Sequence, residues 1–507
     1  MRTLAARMLA LSLLALAGAL PVAGCGSTSS APAADDPAGA VPASAPLYAE
    51  AVVQPTGALK ANVDSVARRV LRTNDPAAKI AGLFDSGARS YGLTWKDDVQ
   101  PWLGSRVGAA ITGFGPKGRP YGVIVLTSRD DAKARAAIAK ARGLQDGAYK
   151  GVHYRYEPSD GFAAAVTGGR VLVGSEAGVK AAIDATIGDS LAESGTLAKA
   201  RQAVPGGGLG FVYADVPALV THATAQAGSS SGPTAALLAG IGTVLPQTLA
   251  AQLGVQKDQL TLDAALLGSK TRRDPGAGGA DAVAALPGDS WLALGVGDVG
   301  GMLQDALAQA SSSGLGAIGV SALEQQFRTQ TGLDLQRDLL SWMGDAGIFV
   351  RGLNGDVSGA LVVHSKDPAA SRRAVEKLPA LVRSQHGHVT PLAGKGIDAG
   401  FTIRSPGSPV VAVVAAGDRF VVAVGKGALH DALAPAKTLA STSAFTQAAG
   451  RLGGSYRPAL FVDLARLSGL LDSGASAKPA LGAFGALVAG AKREGDVIRV
   501  HGVATLR

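Results

Sequence analysis

Gly92-Leu-Thr-Trp-Lys-Asp-Asp-Val-Gln-Pro-Trp-Leu-Gly104 has a second copy at Gly332-Leu-Asp-Leu-Gln-Arg-Asp-Leu-Leu-Ser-Trp-Met-Gly344. Without gaps the two agree at Gly92/Gly332, Leu93/Leu333, Asp98/Asp338, Trp102/Trp342 and Gly104/Gly344. The chain therefore reads as one unit written twice. Each copy reads as a short helix between two glycines. Leu93 or Leu333, Trp95 or Leu335, Val99 or Leu339, and Trp102 or Trp342 recur on one face at helical spacing, with Asp98 or Asp338 on the other. The closing Gly104 and Gly344 are expected to be left-handed caps. The tryptophans are expected to be buried plugs locking helices onto a sheet, each with one indole N–H to satisfy.

Working outward, the flanks repeat as well. Strands at 107–112 and 121–127 answer 347–351 and 360–364. A helix follows, Ser128-Arg-Asp-Asp in one unit and Ser365-Lys-Asp-Pro in the other, with capping chemistry at its start and Pro368 in a tolerant first turn. Three more strands end at 170–173 and 419–422. A helix pair then leads to strands at 210–215 and 458–463, and each unit closes on an alternating strand, 258–266 or 496–504. Strands follow strands, which is not the alternation of a parallel doubly wound sheet. The expected fold is α+β: two tandem homologous units, each a mostly antiparallel sheet with helices packed on one face. The expected boundaries are a signal peptide at 1–24, a flexible tether at 25–45, unit one at 46–268, a polar Gly-rich linker at 269–285, and unit two at 286–507.

The first residues form a targeting device. Arg2 and Arg7 precede a 13-residue apolar run at 8–20, which suits a signal peptide and is too short to span a bilayer. Val22-Ala23-Gly24-Cys25 resembles the lipobox of bacterial lipoproteins, which implies a diacylglyceryl thioether on Cys25 and, often, an added N-acyl chain such as palmitate. Two acyl chains suffice for stable anchoring. Cys25 is the sole cysteine, so disulfides and cysteine metal sites are excluded. No later stretch reaches 18 apolar residues. The expectation is a cell-membrane protein, lipid-anchored on the extracytoplasmic face of the cytoplasmic membrane. The Ser/Ala/Pro/Gly-rich residues 26–46 would reach about 25 Å as a coil and about 70 Å extended.

At 507 residues with 47% hydrophobic and 17% charged residues, the chain has room for two real cores. Aromatics are only 5%, so those cores rest on Ala, Val and Leu. The net charge of +9 permits contact with anionic headgroups or wall polymers, but no aromatic-plus-basic motif indicates nucleic acid.

The lipoprotein start, the Pro46-Leu-Tyr-Ala-Glu50 opening, the Gly-Leu…Trp-Leu-Gly motif and the strand–Ser–Asp–helix succession together resemble a family of bacterial envelope proteins, domain of unknown function 3352. The likeness covers nearly the whole mature chain. It brings no activity, cofactor or catalytic residue.

Individual motifs point to no confident chemistry. Gly295-Val-Gly-Asp-Val-Gly300 matches the dinucleotide fingerprint between a strand and a helix, but unit one has Val52-Val-Gln-Pro-Thr-Gly57 there and no acidic strand end follows. Gly228-Ser-Ser-Ser-Gly232 matches a nucleophile elbow in letters only, since no strand precedes it. His386-Gly-His388 has neither Cys nor a nearby carboxylate, and His153, His222, His364, His430 and His501 are scattered. Lys133, Arg135, Lys140 and Arg142, answered by Arg372, Arg373, Lys377 and Arg383, read first as a solvated helix face and second as a contact for anionic lipid. The expectation is a non-enzymatic lipoprotein that binds an apolar ligand or lipid. The alternative is an envelope scaffold with a protein partner, and an extracellular hydrolase ranks third. No catalytic, metal or cofactor residue is assigned.

Overall fold

The Val-, Ala- and Leu-rich runs pair into antiparallel ladders, ten strands in each of two units among the described residues. The computed structural model describes residues 35–507 except 77, 80, 83–84, 86–88, 160, 228–245, 269–277, 313, 353–355, 385–386, 405–408, 454 and 471–480. Cys25, the Gly228–Gly232 loop and His386 lie outside the described residues.

Unit one carries β1 (Leu47–Val52), β2 (Leu103–Phe114), β3 (Pro120–Ser128), β4 (Gln145–Tyr149), β5 (Val152–Glu157), β6 (Phe162–Thr167), β7 (Arg170–Ser175), β8 (Gly210–Asp215), β9 (Thr248–Gln256) and β10 (Gln259–Leu267). Its helices are α1 (Gly57–Leu71), α2 (Asp131–Lys140), α3 (Glu176–Ile187), α4 (Gly195–Gln202) and α5 (Val216–Ala227). The strands lie in the order β4-β5-β6-β7-β3-β2-β1-β8-β9-β10, every neighbour antiparallel.

Unit two opens with α6 (Gly279–Ala284) and β11 (Leu292–Val296), then α7 (Val299–Ser311) and α8 (Gly314–Thr331). Next come β12 (Met343–Arg351), β13 (Ser358–Ser365), α9 (Pro368–Ser384), β14 (His388–Pro391), β15 (Ala399–Arg404), β16 (Val411–Ala416) and β17 (Arg419–Val424). It closes with α10 (Ala428–Leu433), α11 (Ser443–Leu452), β18 (Leu460–Asp463), α12 (Leu464–Leu470), β19 (Phe484–Glu494) and β20 (Val497–Leu506). Its strand order, β14-β15-β16-β17-β13-β12-β11-β18-β19-β20, is that of unit one. The duplication is therefore one of topology as well as of sequence.

Helices cover both faces of the sheet rather than one. Phe420 and Val421 are neighbours on β17 and point to opposite sides. Phe420 joins Trp342 and the α9 residues Ala370, Ala374 and Val375. Val421 joins Phe349, Phe461, Ala428 and Ala432 of α10, and Phe445 of α11. In unit one Trp102 packs with Ala134 and Ala137 of α2 over Val166 and Val171. Both tryptophans are the expected plugs, at 5% and 1% exposure.

The repeated motif is wider than a plain α-helix. Its turn closes i→i+5, with Gln100 N–H donating to Trp95 O and Ser341 N–H to Gln336 O. Asp98 does not face solvent. Its carboxylate folds back to accept from Thr94 N–H at 2.9 Å, as Asp338 does from Asp334 N–H at 2.8 Å. Each indole donates to the carbonyl of that same aspartate, at 2.6 Å and 3.0 Å. The left-handed glycines are the opening ones, Gly92 (φ 73) and Gly332 (φ 70). Gly104 and Gly344 are strand residues whose missing Cβ makes room for Thr127 and for the His364 carbonyl.

Both units begin earlier than expected. Pro37–Ala40 forms a 3-10 turn with Ala38, Ala40 and Val41 fully buried, so the second half of the expected tether is bedded in unit one. Residues 279–284, expected as linker, are α6, with Val283 fully buried. The two openings correspond. Pro42 bridges Ser190 as Pro287 bridges Thr438, and Leu191 N–H donates to Val41 O as Leu439 N–H donates to Leu286 O.

Candidate functional site

β1 reads Leu-Tyr-Ala-Glu-Ala-Val, so Tyr48 and Glu50 project to the same side. Register places Gly108, Glu50, Phe211 and Gln252 in one row across β2, β1, β8 and β9. Beside that row lies a cleft of about 350 Å³, lined by Asp35, Asp36, Glu50, Arg106, Arg201 and Gln252, with Gly206–Gly208 along its rim.

The charges pair closely. Arg201, on α4, donates to both Asp36 oxygens at 2.7 and 3.1 Å and to Glu50 Oε2 at 2.8 Å. Tyr48 donates its hydroxyl to Glu50 Oε2 at 2.7 Å. Arg170 holds the Asp36 carbonyl from behind at 3.1 and 3.2 Å. Ser105 donates to Asp35 Oδ2 at 2.7 Å. Burial, then the Glu50 carboxylate, push the Tyr48 phenol well above its ordinary range, so it remains a donor. Burial pulls the Asp36 carboxyl upward, but Arg201 outweighs it and the net shift is downward. Burial likewise pulls Arg201 down, and Asp36 with Glu50 reverses this, leaving the guanidinium firmly charged.

Two groups are less engaged. Arg106 reaches Glu50 only at 3.5 Å and is about one-third exposed at its side chain. Gln252 is 8% exposed, and among the described residues no group hydrogen-bonds its side-chain amide. The Gln252 side chain lines the cleft, so its amide is available to a polar ligand there.

Unit two lacks this site. The equivalent row is Gly347, Gly295, Ala459 and Gly490. A side chain at Gly295 would collide with the Gly279 carbonyl, and one at Gly490 with the Arg457 carbonyl. Ala449 of α11 stands where α4 has Arg201. The same face is closed by backbone in one unit and opened by charged side chains in the other.

The sequence-level candidates resolve as follows. Gly92, Trp102, Gly104, Gly332, Trp342 and Gly344 are structural and lie away from the cleft. Within Gly295–Gly300, Gly295 packs against the Gly279 carbonyl and Gly300 against the Leu340 and Met343 carbonyls, and the start of α7 is occupied by Asp298 and Asp345. His388 is exposed at the start of β14, and His364 meets Asp418 at 3.3 Å on the surface. Of the basic helix faces, Lys133, Arg135, Lys140 and Arg372 are matched by Asp130, Asp131, Asp98 and Glu376. Among the described residues no three metal-ligating side chains converge, and no helix is long and apolar enough to cross a membrane. The cleft itself escaped the sequence reading. Its signals were a glutamate inside an apolar strand and the glycine run 206–208 before β8.

No curated protein matches this chain. Crystal form III of TP0453 overlaps at a TM-score of 0.26 with 12% identity, covering 47% of this chain and 82% of that one. Crystal form I of the same protein gives 0.27 and 8%, covering 47% and 81%. The profile of the family described as "Protein of unknown function (DUF3352)" matches residues 4–480, and with the doubled Trp motif now placed in two units of the same strand order, the chain belongs to that family.

Proposed function

We propose that this protein is a lipid-anchored extracytoplasmic lipoprotein acting as a non-catalytic binding module, with the charged cleft of unit one as its binding site. The observation that carries the reading is the unit-specific row Glu50–Phe211–Gln252, open to a cleft where unit two is sealed by glycine. The Val22-Ala23-Gly24-Cys25 start supports the anchor. The expectation of an apolar ligand gives way to a polar one. The cleft of unit one is lined by charged side chains, and a second depression, along α8 near Gln325, Gln326 and Gln330, is a shallow groove. A lipid ligand is favoured by exposed apolar residues of unit two: Leu294 and Ile348, paired across β11 and β12, at 38% and 39%, and Met302, Leu303 and Leu323 of α7 and α8 at 38%, 44% and 39%. Membrane fractionation with a labelled fatty acid tests the anchor: Cys25→Ser must abolish both label and membrane retention. Native mass spectrometry of the full chain in mild detergent tests the binding role. A co-purifying small molecule lost on Gln252→Ala supports it. An empty chain that takes up nothing from a periplasmic or cell-wall extract overturns it.

A further inference from the structure

The cleft carries two carboxylates with unspent acceptor capacity, Glu50 and Asp35, facing a guanidinium that is only loosely held, Arg106. Asp36 and Arg201 neutralise one another through two parallel bonds and leave little for a ligand. The remaining groups are of both signs. Counting Arg170 behind the Asp36 carbonyl, three carboxylates (Asp35, Asp36, Glu50) stand against three guanidiniums (Arg106, Arg170, Arg201). A site that is balanced overall but split in sign disfavours a net anion or a net cation. It favours a neutral molecule with separated charges.

The geometry points to a small zwitterion, a free amino acid or a dipeptide, as the ligand of this cleft, and this inference rests on the binding-module reading above. The ligand carboxylate would take the planar fork of Arg106, which suits two parallel N–H···O bonds. The ligand ammonium would lie between Glu50 and Asp35. The amide of Gln252, which lines the cleft and is not hydrogen-bonded among the described residues, would pair with the ligand's own amide or amine. A volume of about 350 Å³ fits a ligand of that size. A sugar is the less favoured occupant. Sugar sites commonly use an open aromatic face, and the one aromatic ring lining this cleft, Phe211, is covered by the Arg201 guanidinium 5.9 Å from its centroid.

Calorimetric titration of the full chain in detergent tests this with L-alanyl-L-alanine and L-alanine. N-acetyl-alanyl-alanine, alanyl-alanine amide, sodium acetate and trehalose serve as comparisons. The expected result is saturable binding of the dipeptide or the amino acid, weakened at least tenfold by blocking either terminus. Arg106→Gln should weaken it at least tenfold and should cost less for the C-terminal amide than for the free acid. That difference is a ratio within one folded variant, so a general loss of stability does not mimic it. Equal binding of blocked and free dipeptides overturns the inference. Binding of trehalose or acetate alone, abolished by Gln252→Ala, overturns the zwitterion but leaves the binding module standing. Absence of binding by every compound, with an empty native mass spectrum, overturns both.

Discussion

At the residue scale, each tryptophan combines a large buried body with one satisfied N–H, and the two contributions can be separated. Trp342→Ala empties a site packed by Phe420 and α9, and should cost about 3–5 kcal/mol. Trp342→Phe keeps much of the packing and loses the bond to the Asp338 carbonyl, so about 1–2 kcal/mol is expected. Urea midpoints check this ranking; equal losses would mean that the indole bond decides everything. Asp338 supplies the pH test. Its bonds from Arg337, then from Asp334 N–H, lower its pKa to about 2 from the ordinary 3.8. The folded state thus gains stability from this group above the ordinary value and loses it as pH falls through about 2. Partial exposure limits the gain to about 1–2 kcal/mol. Asp338→Asn should be less stable than the parent at pH 7 and nearly equal to it at pH 2. A constant gap across that range refutes the assignment.

At the element scale, the two openings are where local sequence misleads. Residues 35–45 have the Pro/Ala/Gly composition of a linker, yet Ala38, Ala40, Val41 and Ala45 are almost fully buried. Arg201 and Arg170 fix Asp36 at the start of the turn. A chain shortened to begin at Leu47 should therefore unfold at lower urea than one beginning at Asp35, by at least about 3 kcal/mol. Coincident midpoints would show the segment to be a passenger. Strands without a sequence signature arise for a similar reason. β9 (Thr-Leu-Ala-Ala-Gln-Leu-Gly-Val-Gln) and β19 (Phe-Gly-Ala-Leu-Val-Ala-Gly-Ala-Lys-Arg-Glu) are rich in Ala and Gly, which leave the period of 2 faint. β4 (Gln-Asp-Gly-Ala-Tyr) is an edge strand with little apolar signal, and it forms because β5 is there to pair with it.

At the scale of the whole molecule, the early start of unit one shortens the leash. With Asp35 already docked, only the nine residues 26–34 separate it from Cys25, a reach of at most about 35 Å instead of about 70 Å. If Cys25 is the anchor, the cleft containing Asp35 and Asp36 stays within that distance of the bilayer. A fluorophore on Lys199→Cys, on the exposed side of α4 near Arg201, should transfer energy efficiently to headgroup acceptors when the lipidated chain is in vesicles. Transfer corresponding to a separation well beyond 50 Å, after allowing for the size of the dye, would contradict the docked opening.

Sequence by itself determined the duplication, the α+β class, the antiparallel sense of the sheet and the burial of Trp102 and Trp342. These follow from local periodicity and from a motif long enough to match itself. Tertiary structure alone decided that helices cover both sheet faces, that Gly104 and Gly344 serve close approach and not capping, and that both units begin before their first strand. It alone assembled the cleft. Glu50, Arg106, Arg201 and Gln252 are spread over about 200 residues of chain, and only strand register and the docking of α4 bring them together. A one-dimensional pattern reports which side of its own element a residue faces; which distant residue stands opposite is set by pairing and packing across the fold.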